Sequence, residues 1–313
     1  MTLAVLGGAL SAAGCVERAP VSQHEERSAG PEDRIEPNFS QPFDPALLQL
    51  RSPVRMEATP GGGLLVSDSR TRAVLRVNPT TMQPDQALPV DGKPLGVGLW
   101  GGRVFVGNAT ANTVDVFGPD GTWQYSFGSG AVPYPSDLAI DHGSGLVFVV
   151  AGGTREVKVF DLDGQSLGTI AGPGPDQAGL RAPTGIAVDE RRREVLVSDY
   201  GEPGVAAAVK IFDYDGNFVA AISGDGDCGA LGCSGGFSRP QGIAVDGESR
   251  IYLADALLGR ILVYDRATGR ALAEVGAHVA DGGTLRVPLD VVLGRDGQLV
   301  VASNGTASLE LVP

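Results

Sequence analysis

The chain has 313 residues, of which 46 are Gly and 21 Pro, and 42% are hydrophobic. Glycine at about twice its usual ~7% share excludes a fold of long helices, and the apolar content excludes wholesale disorder or a disulfide-only miniprotein, leaving one large all-β domain or two small ones. Thirty-seven acids against 24 bases give a net charge of −13, which nucleic acid and anionic membrane surfaces repel, since both are bound chiefly through Lys and Arg.

Met1–Gly14 is a run of small apolar side chains, and the chain turns polar directly after Cys15. The run is shorter than the ~20 residues a helix needs to cross a bilayer, so a cleaved signal peptide is expected at 1–14. Leu10-Ser11-Ala12-Ala13-Gly14-Cys15 resembles a bacterial lipoprotein signal, which implies cleavage before Cys15 and a lipid on its thiol. Val16 in place of Asp implies, by the same resemblance, a cell-envelope address at the outer membrane, facing periplasm or exterior. An ordinary secretory signal, or a tail with an incidental cysteine, is the other reading. The charge, Pro content and lack of periodicity that follow mark 15–42 as a lipid-anchored disordered tether ahead of a folded domain at 43–313.

From there one phrase recurs: a Pro, two residues on a small or polar residue, then an alternating apolar run. It starts at Pro53 in a degenerate copy, then at Pro94, Pro135, Pro183, Pro240 and Pro288, with spacings of 41, 41, 48, 57 and 48 residues. Each copy is followed by a second apolar run ending at Asp68, Asn108, the Gly-rich turn at Gly152, Asp199, Asp255 or Asn304, then a third run and usually a turn and a fourth. Period-two alternation, β-branched residues and Gly, Asp or Asn punctuation read as four strands per unit. Six such units predict an all-β, six-bladed β-propeller of four-stranded antiparallel blades. The sixth unit runs out at Pro313 after its third strand, so the apolar run Ala46–Leu50, just ahead of Pro53, is expected to complete it as an N-terminal strand and close the ring.

The phrases Pro183-Thr184-Gly185-Ile186-Ala187-Val188-Asp189, Tyr252-Leu253-Ala254-Asp255 and Arg260-Ile261-Leu262-Val263-Tyr264-Asp265 resemble NHL repeats, over roughly residues 45–313. The resemblance implies the propeller but leaves function open. Rings of this kind include extracellular scaffolds, ligand-binding modules, RNA-binding domains of ubiquitin ligases and amidating lyases, with lactonases and related metal-dependent hydrolases on similar folds.

The start of an inner strand and the end of the second strand lie at the same mouth of the channel, which gathers two sets of side chains. Asp68, Asn108, Asp199, Asp255 and Asn304 form the first. Such oxygens can cradle a hard cation such as Ca²⁺, with Asp199, Asp255 and Asn304 as metal candidates, or they can simply close turns through local bonds to the backbone. The second set departs from the repeat's own rule: where three units have Gly96, Gly185 and Gly242, the others place Arg55, Asp137 and Asp290, and Glu57 replaces a small residue two positions on. An unpaired charge facing a low-dielectric channel is costly, so Arg55 is expected to pair with an acid, or the acids to meet a cation or a polar ligand. A structural ion pair is the plainer alternative.

Cys228 and Cys233 lie five apart in a Gly-rich loop that can turn back on itself, and a disulfide is expected in an exported chain, whereas two Cys alone cannot complete a zinc site. The extended loop Gly224 to Phe237 is the preferred place for a partner contact. His24, His142 and His278 share no local motif, and no metalloprotease, nucleophile-elbow or phosphate-loop signature occurs. The expectation is a monomeric binding scaffold for a protein or small polar ligand, with no nucleic-acid partner, membrane contact only through a lipid anchor, and no required cofactor, Ca²⁺ being the candidate ion. The alternative is a metal-dependent lactonase-like hydrolase, esterase or lyase at the same mouth.

Overall fold

In a computed structural model the described residues are 35–40, 43–223, 227–229, 232–234, 236–276, 285–294 and 297–312, with 227–229 and 232–234 described by backbone alone. The expected signal peptide, Cys15, His24 and His278 lie outside them.

Each recurring proline starts an inner strand: Pro53–Ala58, Pro94–Trp100, Pro135–Asp141, Pro183–Asp189, Pro240–Val245 and Pro288–Leu293. Proline suits that position because it has no N–H to offer a ladder and its φ is already extended-compatible. Five sheets have four antiparallel strands in chain order; the sixth has three among the described residues, Pro288–Leu293, Leu299–Ser303 and Ser308–Val312. Neighbouring inner strands pack side by side around a ring, with that of blade 1 beside those of blades 2 and 6. This is the six-bladed propeller that the repeats predict.

Period-two alternation decides what each inner strand does. Met56, Val97, Leu138, Ile186, Ile243 and Val291 point between sheets and are buried, each such burial being worth roughly 1.5–3 kcal/mol. The alternate positions face the axis. Polar latches join consecutive blades at their hairpin ends: Tyr214 Oη donates to Asp141 Oδ2 at 2.7 Å, Ser249 Oγ to Asp189 Oδ2 at 2.5 Å, and Arg266 grips Glu194 at 2.7 and 2.8 Å.

Two expectations need correction. The run Ala46–Leu50 is no strand: Pro45–Leu47 forms a single 3-10 turn, capped by Asp44 Oδ1, which accepts from Ala46 N at 2.9 Å. Pro45 lacks the N–H that a ladder needs, and the local cap competes with pairing. Leu47, Leu48 and Leu50 still pack with Phe43 into the cluster shared by blades 1 and 6, which includes Met56, Val300 and Leu309. The seam is joined instead by Met56 N donating to Asp290 Oδ2 at 2.6 Å and by Asn304 Nδ2 donating to Ser52 Oγ at 2.8 Å.

The tether also ends earlier than expected. Residues 35–40 lie against blades 1 and 2, with Phe39 only 4% exposed among Leu65, Val74 and Leu88. Asn38 N and Ser40 N donate to Pro119 O and Asp120 O, and Glu36 accepts from Thr59 Oγ1 and Gly61 N at 2.8 Å each. One buried aromatic ring outweighs the polar composition of its neighbours.

Candidate functional site

The ring of second-strand ends is where the repeat fastens itself. Asp68 Oδ2 accepts from Arg51 N and Ser52 N, and its Oδ1 from Arg70 N and Thr71 N, at 2.6 to 3.0 Å. Asp255 does the same for Ser238, Arg239, Leu257 and Leu258. Asp199 accepts from Arg181 N, Ala182 N and Gly201 N and pairs with Lys210 Nζ at 2.9 Å. Its burial would raise its pKa, but Lys210 and these N–H donors outweigh that and hold it below the usual carboxylate range. Asn108 accepts from Thr110 N and Ala111 N and donates to Asp91 O and Asp115 Oδ2.

The carboxylates Asp68, Asp199 and Asp255 thus bind the loop before an inner strand and the turn after the second strand into one knot. They are buried with their oxygens engaged, rather than presenting lone pairs to a ligand, and among the described residues no three His, Cys, Asp or Glu converge as a metal cluster. Asp199, Asp255 and Asn304, put forward above as metal ligands, sit in three different blades, Asn304 donating across the seam to Ser52 and Pro53.

The second set does meet on the axis. Arg55 Nε lies 2.9 Å from Asp137 Oδ2, both side chains nearly inaccessible. The same guanidinium donates to Leu289 O and Thr184 O at 2.7 Å each, so one side chain of blade 1 touches blades 3, 4 and 6. Asp137 in turn accepts from Ile186 N at 3.1 Å. Glycine at the equivalent place in blade 2 is a packing requirement: a Cβ on Gly96 would stand 2.8 Å from the Asp137 backbone.

Below this plug lies a cavity of about 300 Å³, lined by the far halves of the inner strands down to His142 and Glu190. Its walls include Val97, Ile140, Ala187, Ala244 and Val292, and its polar members include Glu57, Asp137 and Asp290. Burial, with the charges of Asp290, Asp137 and Glu190 adding to it, pushes Glu57 up to about 8. Burial also raises Asp290 to about 8, Arg55 opposing and Asp137 assisting, and raises Asp137 against the pull of Arg55. Glu57 was assigned above to the strand-start mouth; the structure turns it into this deeper space. His142 and Glu190, in the hairpin turns that follow the inner strands of blades 3 and 4, border it, joined by His142 N donating to Glu190 Oε1 at 2.9 Å. No local motif links them, because only the packing of blade 4 against blade 3 brings their hairpins together.

The strand-start face carries a different feature. In the turn after the second strand of blade 5, Leu257 and Leu258 are 64% and 45% exposed, where the corresponding turns hold Arg70-Thr71, Thr110-Ala111, Gly153-Thr154 and Gly305-Thr306. Beside it, a cleft of about 370 Å³ is lined by Tyr200, Pro203, Val205, Ala206, Phe237 and Ser238 among others. Tyr134, Tyr200, Val205 and Val287 add exposed apolar surface at the same ends of their blades. Cys228 and Cys233 face one another in backbone register within a two-stranded hairpin; their side chains, and most of the loop from Gly224 to Phe237, lie outside the described residues.

This geometry defines a six-bladed β-propeller, knotted at the second-strand ends of blades 1, 2, 4 and 5 and plugged on its axis. No family profile matches the chain. It is 28% identical over 145 residues to the E3 ubiquitin-protein ligase NHLRC1 of Homo sapiens, covering 46% of this chain and 33% of that protein. To the same ligase of Rattus norvegicus it is 26% identical over 165 residues, covering 51% and 38%. The chain thus matches about a third of the length of these curated relatives. Among solved structures it is similar to a chain of a nidogen/laminin complex (TM-score 0.60, 14% identity, 72% of this chain and 80% of that one). Hydrazine synthase of Kuenenia stuttgartiensis gives 0.61 at 15% identity over 87% and 98%, and virginiamycin B lyase of Staphylococcus aureus 0.57 at 12% over 85% of each. At these identities the structural likenesses show the fold alone.

Proposed function

We propose that this chain is a binding scaffold that holds a protein partner on the strand-start face of blades 4 and 5, and that it is exported and anchored through a lipid on Cys15. The observation that carries the reading is Leu257-Leu258, two large apolar side chains held out to solvent in a turn that the other blades fill with small or polar residues. Exposed apolar surface beside a cleft is a feature of interaction sites. The Tyr200, Val205 and Phe237 cleft is of a size to take an apolar side chain of the partner, and Arg239 over the Tyr200 ring at 5.8 Å supplies a polar rim. Asp68, Asp199 and Asp255 act as fasteners of that platform. The scaffold works as a monomer, without a cofactor, and the similarity to NHLRC1 supports a protein as cargo.

The test is site-directed photocrosslinking in the producing cell. A photoreactive residue at Leu257 should give one discrete adduct with another protein, and the same residue at Val219, on the outer rim of blade 4, should not. Equal adducts at both positions, or none at Leu257, would remove the proposed face. The anchor is tested separately: Cys15→Ser should release the chain from the membrane fraction and abolish labelling by radioactive palmitate.

A further inference from the structure

The cavity under the Arg55 plug has a charge balance that its own residues leave open. Arg55 is committed to Asp137 and to three backbone carbonyls. Asp290 receives only backbone N–H donors, Met56 N at 2.6 Å among them. Glu57, half-buried on the cavity wall, has no hydrogen-bond or ion-pair partner among the described residues. A carboxyl drawn partly out of water without a partner is costly. Between these acids and the His142 and Glu190 end the side walls carry apolar side chains, with Ala139, Ala187 and Ala244 keeping them back from the axis.

We propose that this cavity binds a small organic cation, its primary ammonium head between Glu57 and Asp290 and its hydrocarbon body against the alanine and valine walls. Three features select this class. The cavity is large enough for a small molecule, the uncompensated groups at its head are acids, and the apolar walls suit a carbon skeleton better than a hydrated metal ion. Primary ammonium supplies three donors to two carboxylates. The ligand would enter past His142 and Glu190, since Arg55 closes the other end. The site lies away from Leu257 and Leu258, so it stands or falls independently of the protein-binding reading.

Binding is coupled to protons. The groups facing Glu57 are Asp290 of blade 6, Asp137 of blade 3, Glu190 and His142 on the hairpins of blades 4 and 3, and Arg55 on its own strand. Burial, with the neighbouring acids adding to it, raises Glu57 to about 8, and Asp290 stands at about 8 as well, so an ammonium ion held by two carboxylates must displace both protons, and affinity should rise up to about a hundredfold per pH unit between pH 6 and 8.

Titration calorimetry of the purified chain with n-butylammonium, in two buffers of different ionisation heat, reads affinity and proton release together. The expected result is saturable binding with more than one proton released at pH 7, lost at least tenfold in Glu57→Gln and in the wall variant Ala187→Leu, both still cooperatively folded. Neutral n-butanol and Ca²⁺ should bind at least tenfold more weakly. No saturation by n-butylammonium, equal binding of n-butanol or Ca²⁺, or affinity retained in Glu57→Gln would overturn the proposal.

Discussion

Arg55 of blade 1 and Asp137 of blade 3 meet at 2.9 Å across the ring axis, in a place where half of the blades have glycine. The pair locks together blades that are not neighbours in sequence, so the axis is a stability element as well as the roof of a cavity. Arg55→Met leaves Asp137 buried without its cation and should cost about 3–5 kcal/mol, as breaking a buried pair does. Combining it with Asp137→Asn should recover much of the loss. Urea unfolding of the single and double variants measures both, and strictly additive losses would mean the two residues do not act as a pair.

Asp199→Ala should behave as a folding defect. It strands Lys210, 6% exposed at its side chain, together with three backbone N–H groups, and a loss of about 3–5 kcal/mol is expected from the unpaired buried charge. EDTA or excess Ca²⁺ should leave the wild-type melting temperature unchanged. A rise with Ca²⁺, lost in Asp199→Ala, would return these carboxylates to a metal site.

Stability should fall as pH rises. Glu57 has an unfolded value of 4.5 and a folded value of about 8. The folded state therefore holds a proton that the unfolded state has released, and the stability from the neutral acid, complete below about pH 4.5, is lost progressively up to about pH 8. Asp290, raised from 3.8 to about 8, acts in the same direction. Melting followed from pH 5 to 9 should show this decline, and Glu57→Gln should flatten it. A wild-type curve that rises across the same range would contradict the burial of these acids.

Phe39→Ala should cost about 3 kcal/mol, the lower end for emptying a buried aromatic site, although sequence composition places this residue in a tether. Differential unfolding of the variant is the check, and a loss under 0.5 kcal/mol would put residues 35–40 back outside the folded body.

The fold was legible because every blade repeats the same local instructions. A proline starts the inner strand, apolar residues alternate, and in all but blade 3 an Asp or Asn closes the turn. The axial residues were legible for the opposite reason: Arg55, Asp137, Asp290 and Glu57 stand out against the glycines and small residues of their sister blades. What failed were features that only packing between blades creates or that a single residue carries. His142 and Glu190 are unremarked in their hairpins until blades 3 and 4 are set side by side. Pro45 forbids the closing strand that hydrophobicity alone suggests. Phe39 is one aromatic in a polar stretch, a signal too small for a composition argument. Leu257-Leu258 was visible to a blade-by-blade comparison of turns, which strand periodicity does not make.

The central claim is that the strand-start face of blades 4 and 5 does the binding while the buried carboxylates hold it in shape. The direct measurement is photocrosslinking from Tyr134, on the same face but outside the leucine pair, in wild type and in Leu257→Ser/Leu258→Ser. The account predicts at least a tenfold drop in the discrete adduct with an unchanged melting temperature. An undiminished adduct in a variant that melts like wild type would contradict it.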